Sequence, residues 1–260
     1  MAYDIRERLK LLRLIDDLFF ACVFDGNPKA MELVLRIILK RPNLRIKKMI
    51  PQKDVANVYG RNVIFDIFAI DNNGQYLNIE VQRDAPGAAP RRARYTSSMM
   101  VFMQFKKNTK FKDLPESYVI MITETDVLKL GKPLYVIERC ILTDNGGFVP
   151  FNDGSHIIYV NGEIRDGTPL GRLMHDFFCV NADEIGIARG VDPHVQRIRL
   201  PTVLLLDQRN MHIPDLCLID KLFRLTGKLL PNGHWDGRHV ERFNHSPGGI
   251  VCGTGESGRR

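Results

Sequence analysis

The segment FDIFAIDNNGQYLNIEVQ, residues 65 to 82, constrains the fold of this chain more than any other. Two runs rich in β-branched and aromatic residues flank the turn sequence DNNG, which predicts a β-hairpin. Asp66 and Glu80 interrupt these runs, although strand interiors disfavour both residue types. A buried carboxylate needs a hydrogen-bonding partner, an opposite charge or a metal ion. The hairpin therefore predicts a β-sheet that carries two acids in need of a partner.

The turn decides which residues of the two strands face each other. A two-residue loop, Asn73-Gly74, would place apolar residues opposite acids. A three-residue loop that also includes Asn72 puts the glycine in the left-handed position. We prefer the three-residue loop because a one-residue slip would mix apolar and polar side chains on each face. Its pairs are Phe65 with Val81, Ile67 with Ile79 and Ala69 with Leu77 on the apolar face, and Asp66 with Glu80 on the other face, which Gln82 shares.

In this register, Asp66 and Glu80 would have their Cβ atoms within about 5 Å of each other. Two carboxylates so close repel unless one is protonated or a cation lies between them. Mg²⁺ takes oxygen ligands from one or two carboxylates and keeps several waters. The hairpin thus predicts a metal site, with one alternative: an exposed sheet face on which both acids point into water.

The rest of the chain predicts a mixed α/β domain. Helices are expected over residues 4 to 24, after Pro28, over residues 90 to 105 and within TPLGRLMHDFFCV. The β-rich runs are KKMIPQKDV, SYVIMITET, LYVIERCILTD and HIIYVNGE. Two helices, a strand with a hairpin, one helix, further strands and a last helix follow in that order. This order is typical of helices packed on a central mixed sheet.

Charge and cysteine content limit the partners and the compartment. The net charge of +7, from 37 Lys and Arg against 30 Asp and Glu, permits a polyanionic partner without demanding one. The five cysteines form no CxxC pair, which excludes a disulfide framework or a cysteine zinc site and suits the cytoplasm. We expect no membrane span, since no apolar run reaches about 18 residues. We also expect no signal peptide, because the N-terminal stretch MAYDIRERLKLLRLIDDLFF carries charges throughout.

Residues 189–260 differ in character from the rest. They are rich in Gly, Pro and His and carry 11 Lys and Arg against 7 Asp and Glu, a net of +4. We therefore expect a domain over residues 1–188 and a divergent, peripheral tail over 189–260, with a disordered end from about Ser246. The alternative is a small DNA-binding appendage that uses Arg197, Arg199, Arg209 and Trp235.

Several phrases of the chain resemble one known family. YLNIEVQRDAPGAAPRRARYTSSMM is similar to a signature in which a strand ending in Ile-Glu-x-Gln precedes a helix rich in Arg and Tyr. DLFFACVFDGNP resembles the N-terminal helix of the same family, and LYVIERCIL, DGSHIIYVNG and LGRLMHDFF resemble its later elements. Over residues 13 to 188 the chain thus resembles the PD-(D/E)XK nuclease superfamily, in its bacterial branch of recombination-promoting nucleases and transposases. The resemblance implies a restriction-endonuclease-like fold.

The resemblance also implies roles for particular residues. Asp66 and Glu80 would bind Mg²⁺ or Mn²⁺ together with the backbone carbonyl of Val81, and Gln82 would occupy the position of the motif's lysine. Asp17 would be the family's N-terminal acid, which could accept a hydrogen bond from a metal-bound water or could equally be a solvated helix acid. There are departures from the pattern. Gln82 is neutral, and Ala21 stands where the family usually has lysine. Residues 189–260 match nothing that the family would be expected to have there, which is what a divergent or frame-shifted end of the sequence would produce.

The helix after the hairpin begins with Arg91, Arg92, Arg94 and Tyr95. Helix N-termini favour phosphate, and arginine binds phosphate through two parallel hydrogen bonds. We expect these residues to contact DNA without reading its sequence. The alternative is a solvated helix face, and because Arg91 and Tyr95 are four residues apart, one of them could line the core instead.

The expected function is that of a cytoplasmic, metal-dependent DNA endonuclease associated with mobile elements and recombination. DNA is the expected partner, and a homodimer is left open. Two alternatives remain: a DNA-binding remnant that is weakly active or inactive, and an interaction module with no nucleic-acid role.

Overall fold

The computed structural model of this protein describes residues 12–57, 60–105, 107–108 and 110–179. The expected tail at 189–260 and the expected domain boundary at residue 188 lie outside these residues. The helices are α1 Asp17–Phe24, α2 Pro28–Leu39, α3 Pro90–Gln104 and α4 Pro169–Phe178, with short 3-10 turns at Pro86–Ala88 and Phe111–Asp113. The strands are β1 Ile46–Val55, β2 Val63–Asp71, β3 Tyr76–Gln82, β4 Ser117–Thr123, β5 Leu134–Ile137, β6 Cys140–Leu142, β7 Phe148–Pro150 and β8 Ser155–Asn161.

Six strands form one mixed sheet in the order β1-β2-β3-β4-β8-β5. Strands β1, β2 and β3 are antiparallel neighbours, β3, β4 and β8 are parallel, and β5 pairs antiparallel with β8 at the far edge. The helix α3 connects the parallel strands β3 and β4. Strands β6 and β7 form a separate, exposed hairpin. This mixed sheet flanked by helices confirms the expected restriction-endonuclease-like α/β fold.

Each face of the sheet carries its own apolar core. One core joins α1, α2 and α4 to side chains such as Ile67 and Ile79. The other joins α3 to Phe68, Met121 and Tyr159. Strand β4, SYVIMIT, is buried along its whole length, as expected for a parallel strand covered on both faces. Within the described ranges, no helix is both long and apolar enough to cross a membrane.

The hairpin between β2 and β3 has the preferred three-residue loop. Ile67 pairs with Ile79 and Ala69 with Leu77, which confirms the predicted register. Gly74 has a φ of +79°, the left-handed conformation that this loop requires of its glycine.

The predicted pair of Phe65 with Val81 was wrong. The ladder between β2 and β3 ends at Ile67 and Ile79, and Phe65 instead packs near Phe68 in the core under α3, with ring centroids 6.2 Å apart. The strands diverge here because the side chain of Asp66 replaces the next rung. Its Oδ2 accepts a hydrogen bond from the backbone N–H of Val81 at 3.0 Å.

Two other predictions about secondary structure were wrong in part. The first described helix begins at Asp17, whereas residues 12–13 have no regular structure and residues 14–16 form a turn. Residues 4–11 lie outside the described part of the chain. The reason is tertiary: the N–H of Ile15 donates to the carbonyl of Phe177 in α4. The run LYVIERCILTD splits into β5 and β6, which belong to different sheets, and the short strand β7 was not predicted.

Candidate metal centre

Asp66 and Glu80 lie where β2 and β3 diverge, and both are buried, with 8% and 1% of their surface exposed. Besides the bond from Val81 to Asp66, the Nδ2 of Asn78 donates to Oε1 of Glu80 at 2.8 Å. The Nη2 of Arg92, at the start of α3, lies 3.6 Å from Oε2 of Glu80. The structure therefore brings the two acids to one place and excludes the exposed-face alternative.

The electrostatics of this pair are unfavourable. Burial, and then the charge of Glu80, raise the pKa of Asp66 well above its usual range, against the lowering effect of the Val81 N–H. Burial likewise raises the pKa of Glu80, although hydrogen bonding from Asn78 and the charge of Arg92 lower it. The two carboxylates thus have fewer compensating charges than they need, which is the situation that a cation relieves.

Asp17 is the first residue of α1, and its charge also raises the pKa of Asp66, so the structure brings it to the same region. A network of ion pairs holds the start of α1 against the sheet. Arg83 lies 3.1 Å from Asp16 and 3.2 Å from Glu124, and Glu124 also pairs with Arg13 at 3.1 Å. Although burial opposes them, Arg13 and Arg83 lower the pKa of Glu124.

Sequence reasoning missed this network and missed Asn78. The network joins residues more than 100 positions apart, and no local pattern identifies such a set. Asn78 had a signal, since it lies two residues before Glu80 and therefore on the same face of β3.

Gln82, the last residue of β3, is half-buried beside the 3-10 turn Pro86–Ala88. A Cβ atom added to Gly87 would overlap the Oε1 of Gln82 and the Oδ1 of Asp84. The lack of a side chain at Gly87 therefore creates the space that the Gln82 amide occupies.

The predicted DNA-contacting residues divide into two groups. Arg91, Arg92 and Arg94 are exposed near the start of α3, and Arg92 also contacts Glu80. Tyr95 is half-buried against the core, and its hydroxyl donates to the carbonyl of Arg61 and accepts from Asn57. Of the two residues at that spacing, Tyr95 is the one that lines the core.

The side chains at this place could supply a metal ion with two carboxylate ligands. Among the described residues, no three His, Cys, Asp or Glu side chains are grouped closely enough to hold an ion by themselves. Two buried carboxylates are present instead, and they offer only hard oxygen donors. This set fits a cation such as Mg²⁺, which needs one or two carboxylates and fills its remaining positions with water.

Comparison with known proteins places the chain in a family. A family model described as PD-(D/E)XK nuclease family transposase matches residues 17–163, which is more than half of the chain and includes Asp17, Asp66, Glu80 and Gln82. No curated protein and no solved structure gave a match. The fold, the buried acids at the diverging strands and this match together show that the chain belongs to the PD-(D/E)XK nuclease family transposases.

Proposed function

We propose that this chain is a metal-dependent DNA endonuclease that hydrolyses phosphodiester bonds during the recombination of mobile elements. The observation that supports this most is the buried pair of Asp66 and Glu80, whose pKa values are both raised. Membership of a nuclease family agrees with it. A pair of acids kept buried against its own repulsion destabilises the fold unless a bound cation offsets the cost.

The metal ligands in this proposal are Asp66, Glu80 and the carbonyl of Val81. The N–H of Val81 points towards β2, since it donates to Asp66. In a strand, the N–H and C=O of one residue point to the same neighbouring strand. The Val81 carbonyl therefore lies on the side of Asp66, beyond the last backbone rung between β2 and β3. That location supports its role as the third ligand.

The residues around the ligands provide the remaining chemistry. A bound Mg²⁺ or Mn²⁺ would lower the pKa of a water and offset the negative charge that develops on the phosphate. Gln82 orients the attacking water with its amide oxygen or donates from its NH₂ group to the scissile phosphate. Asp17 accepts a hydrogen bond from a water in the site. Arg91, Arg92 and Arg94 bind the DNA backbone at the start of α3.

Plasmid nicking with Mg²⁺ or Mn²⁺ tests this proposal. We expect Asp66→Ala and Glu80→Ala each to lower the nicking rate at least about 100-fold, the scale on which loss of one transition-state contact is felt. Asp144→Ala, which removes an acid from the exposed turn between β6 and β7, is the control and should nick like the wild type. Wild-type rates for both site variants would contradict the assignment.

A second readout does not depend on activity. Mg²⁺ should raise the melting temperature of the wild type, because an ion that binds only the folded state stabilises it. The increase should vanish in Asp66→Ala. Stabilisation of equal size in both proteins would place the metal elsewhere.

The second candidate function is a DNA-binding remnant without effective catalysis. It is favoured by one observation: Gln82 is neutral where the motif has lysine, so the site lacks that residue's charge. This candidate predicts DNA binding that weakens with salt, without metal-dependent nicking. An interaction module with no nucleic-acid role predicts no DNA binding even at low salt.

We also propose that residues 1–188 form the nuclease domain and that residues 189–260 are peripheral. A chain that ends at residue 188 should then be soluble and nick at the wild-type rate. Insoluble protein would mean that residues 189–260 complete the core. Weakened, less salt-sensitive DNA binding would favour an appendage using Arg197, Arg199, Arg209 and Trp235.

A further inference from the structure

The C-terminal end of α3 and the 3-10 turn that follows it expose three phenylalanine rings. We call Phe102, Phe105 and Phe111 the aromatic surface. Phe111 is 80% exposed, and its ring stacks on that of Phe105 with centroids 4.9 Å apart and planes inclined by 20°. Exposed aromatic rings at one place on a surface mark an interaction site more often than rings scattered singly.

Lysines surround the aromatic surface. Lys107, Lys110 and Lys112 are exposed between or beside the rings, and Asp113 is the one acid described in residues 107–113. The exposed hairpin of β6 and β7 differs in this respect. It exposes Phe148 and other apolar side chains, but residues 140–150 contain no lysine or arginine. The charge therefore distinguishes the aromatic surface from an ordinary apolar patch and indicates an anionic partner.

The aromatic surface is continuous with the arginines of α3. Exposed residues recur along the helix at intervals of three or four, which places them in one stripe. The stripe begins with arginine and ends with aromatic rings, over about 21 Å at 1.5 Å per residue. Its members are Arg91, Arg94, Ser98, Val101 and Phe105, with Phe102 beside the last two.

We propose that the aromatic surface binds the unstacked bases of a single-stranded DNA segment while the lysines contact its phosphates. Aromatic rings set in a positively charged surface are how proteins hold single strands without reading sequence. A duplex hides the faces of its bases in the stack, so it offers these rings no equivalent contact. The inference rests on the proposed function, because the stripe begins at Arg91 and Arg94, which we propose to bind the DNA backbone. It adds that the substrate has a single-stranded portion.

Fluorescence anisotropy with the full chain in EDTA tests the proposal. The probes are a labelled oligonucleotide of about 20 nucleotides and the same sequence as a duplex. This length exceeds the roughly 4–16 nucleotides that one OB-fold domain, a common single-strand binder, covers. We expect Phe102→Ala/Phe111→Ala to weaken single-strand binding at least about 10-fold, because each base stacked on a ring contributes about 1–3 kcal/mol. Duplex binding should change less than about 2-fold, a difference well below one such stacking contact.

Phe148→Ala is the matched control, since its ring, on β7, is 72% exposed. It should bind the single strand like the wild type. The melting temperatures of all variants should agree, because every ring removed is exposed.

The lysines are tested separately by the salt dependence of binding. Each phosphate contact on a single strand contributes about 0.7 to the slope of log affinity against log salt. Replacing Lys107, Lys110 and Lys112 with Gln should therefore reduce that slope by about 2. An unchanged slope would overturn the role given to the lysines.

The outcomes separate this inference from the proposed function. Binding is measured without divalent metal, so a protein that fails to nick can still support the inference. A protein that nicks plasmid but binds single strands equally well with and without the phenylalanines would overturn the inference alone. Equal loss in Phe148→Ala would also overturn it. Self-association that disappears in Phe102→Ala/Phe111→Ala, with DNA binding unchanged, would assign the surface to a second copy of the chain instead.

Discussion

The two ends of the β2–β3 hairpin each bury a carboxylate, but they supply it with different partners. At the turn, Asp71 is 1% exposed, and its Oδ1 accepts the backbone N–H groups of Asn73 at 2.8 Å and Gln75 at 2.9 Å. At the open end, Asp66 receives one backbone N–H and faces Glu80.

The difference is that the turn stabilises its acid, whereas the open end leaves its acid beside a like charge. At the turn, the backbone N–H groups of Asn73 and Gln75 donate to the Asp71 carboxylate, so Asp71 and the loop stabilise each other. At the open end, the strands diverge and place a second acid beside the first. The Oδ2 of Asp71 has no hydrogen-bond partner among the described residues, but it lies 4.0 Å from Nη1 of Arg41. Asp71 thus has a positive charge near it, whereas the neighbour of Asp66 is a like charge that raises its pKa. Asp71 therefore stabilises the fold, and Asp66 is the residue that we propose as a metal ligand.

The largest effect on stability is expected at the turn. Asp71→Ala leaves two backbone N–H groups without their acceptor, and it should lower the free energy of unfolding by about 2 kcal/mol. Urea unfolding at pH 7 without metal measures this. The control is Asp144→Ala, in an exposed turn, which should change the free energy by less than about 0.5 kcal/mol. Equal effects of the two substitutions would remove the structural role of Asp71.

Gly87→Ala tests the position of Gln82 at the open end of the hairpin, because it displaces the Gln82 amide without changing any charge. The new methyl group would overlap the ends of two flexible side chains, so the fold should accept it while the Gln82 amide moves. We expect the nicking rate to fall at least about 10-fold, because misplacement of a positioning group by about 1 Å can cost up to about 100-fold. Gly167→Ala is the control, since a Cβ there meets nothing within 4 Å. A lower melting temperature with an unchanged rate would contradict this prediction.

Asp66→Asn should have the opposite sign to Asp71→Ala and stabilise the metal-free protein. The amide oxygen can still accept the Val81 N–H, but the charge repelled by Glu80 is gone. An acid whose pKa is raised by folding destabilises the folded state above its unfolded pKa, so the benefit should be absent below about pH 4 and grow as pH rises towards neutrality. We expect an increase in Tm of about 2–4 °C at pH 7, the shift produced by about 1 kcal/mol in a domain of this size.

Melting curves of Asp66→Asn and the wild type between pH 4 and pH 7 test this, with Asp144→Asn as the control that should track the wild type throughout. A stabilisation that is already complete at pH 4, or a loss of stability at pH 7, would contradict the unfavourable electrostatics assigned to the open end.

Arg92→Gln should have the smallest effect. Arg92 lowers the pKa of both Asp66 and Glu80, so its removal should destabilise the metal-free protein at pH 7. The effect should be below about 1 kcal/mol because the side chain of Arg92 is half-exposed and its charge is screened by solvent. Arg91→Gln is the matched control, because Arg91 is also exposed on α3 but does not affect the pKa of either acid. Identical unfolding curves for the two variants would show that the buried pair does not depend on Arg92.

The sequence by itself determined the hairpin, its three-residue turn and the pairing of Ile67 with Ile79 and of Ala69 with Leu77. These features are local: the glycine fixes the loop, and the period of two in a strand separates apolar from polar residues. The positions of helices α2 and α3 followed in the same way, from a proline near each start and an apolar period that continues to the end.

Only the tertiary structure decided what packs around Asp66 and Glu80. Phe65 packs under α3 because the Asp66 carboxylate replaces a backbone pair and the strands separate there. The rules for hairpin pairing consider only backbone pairs, so they cannot predict that a side chain replaces one. The start of α1 is set by a contact with α4 and by the ion pairs among Arg13, Asp16, Arg83 and Glu124. These residues are far apart in the chain, so no local sequence pattern predicts that they come into contact. Burial then raises the pKa of Asp66 and Glu80, because desolvation depends on what the whole fold packs around them.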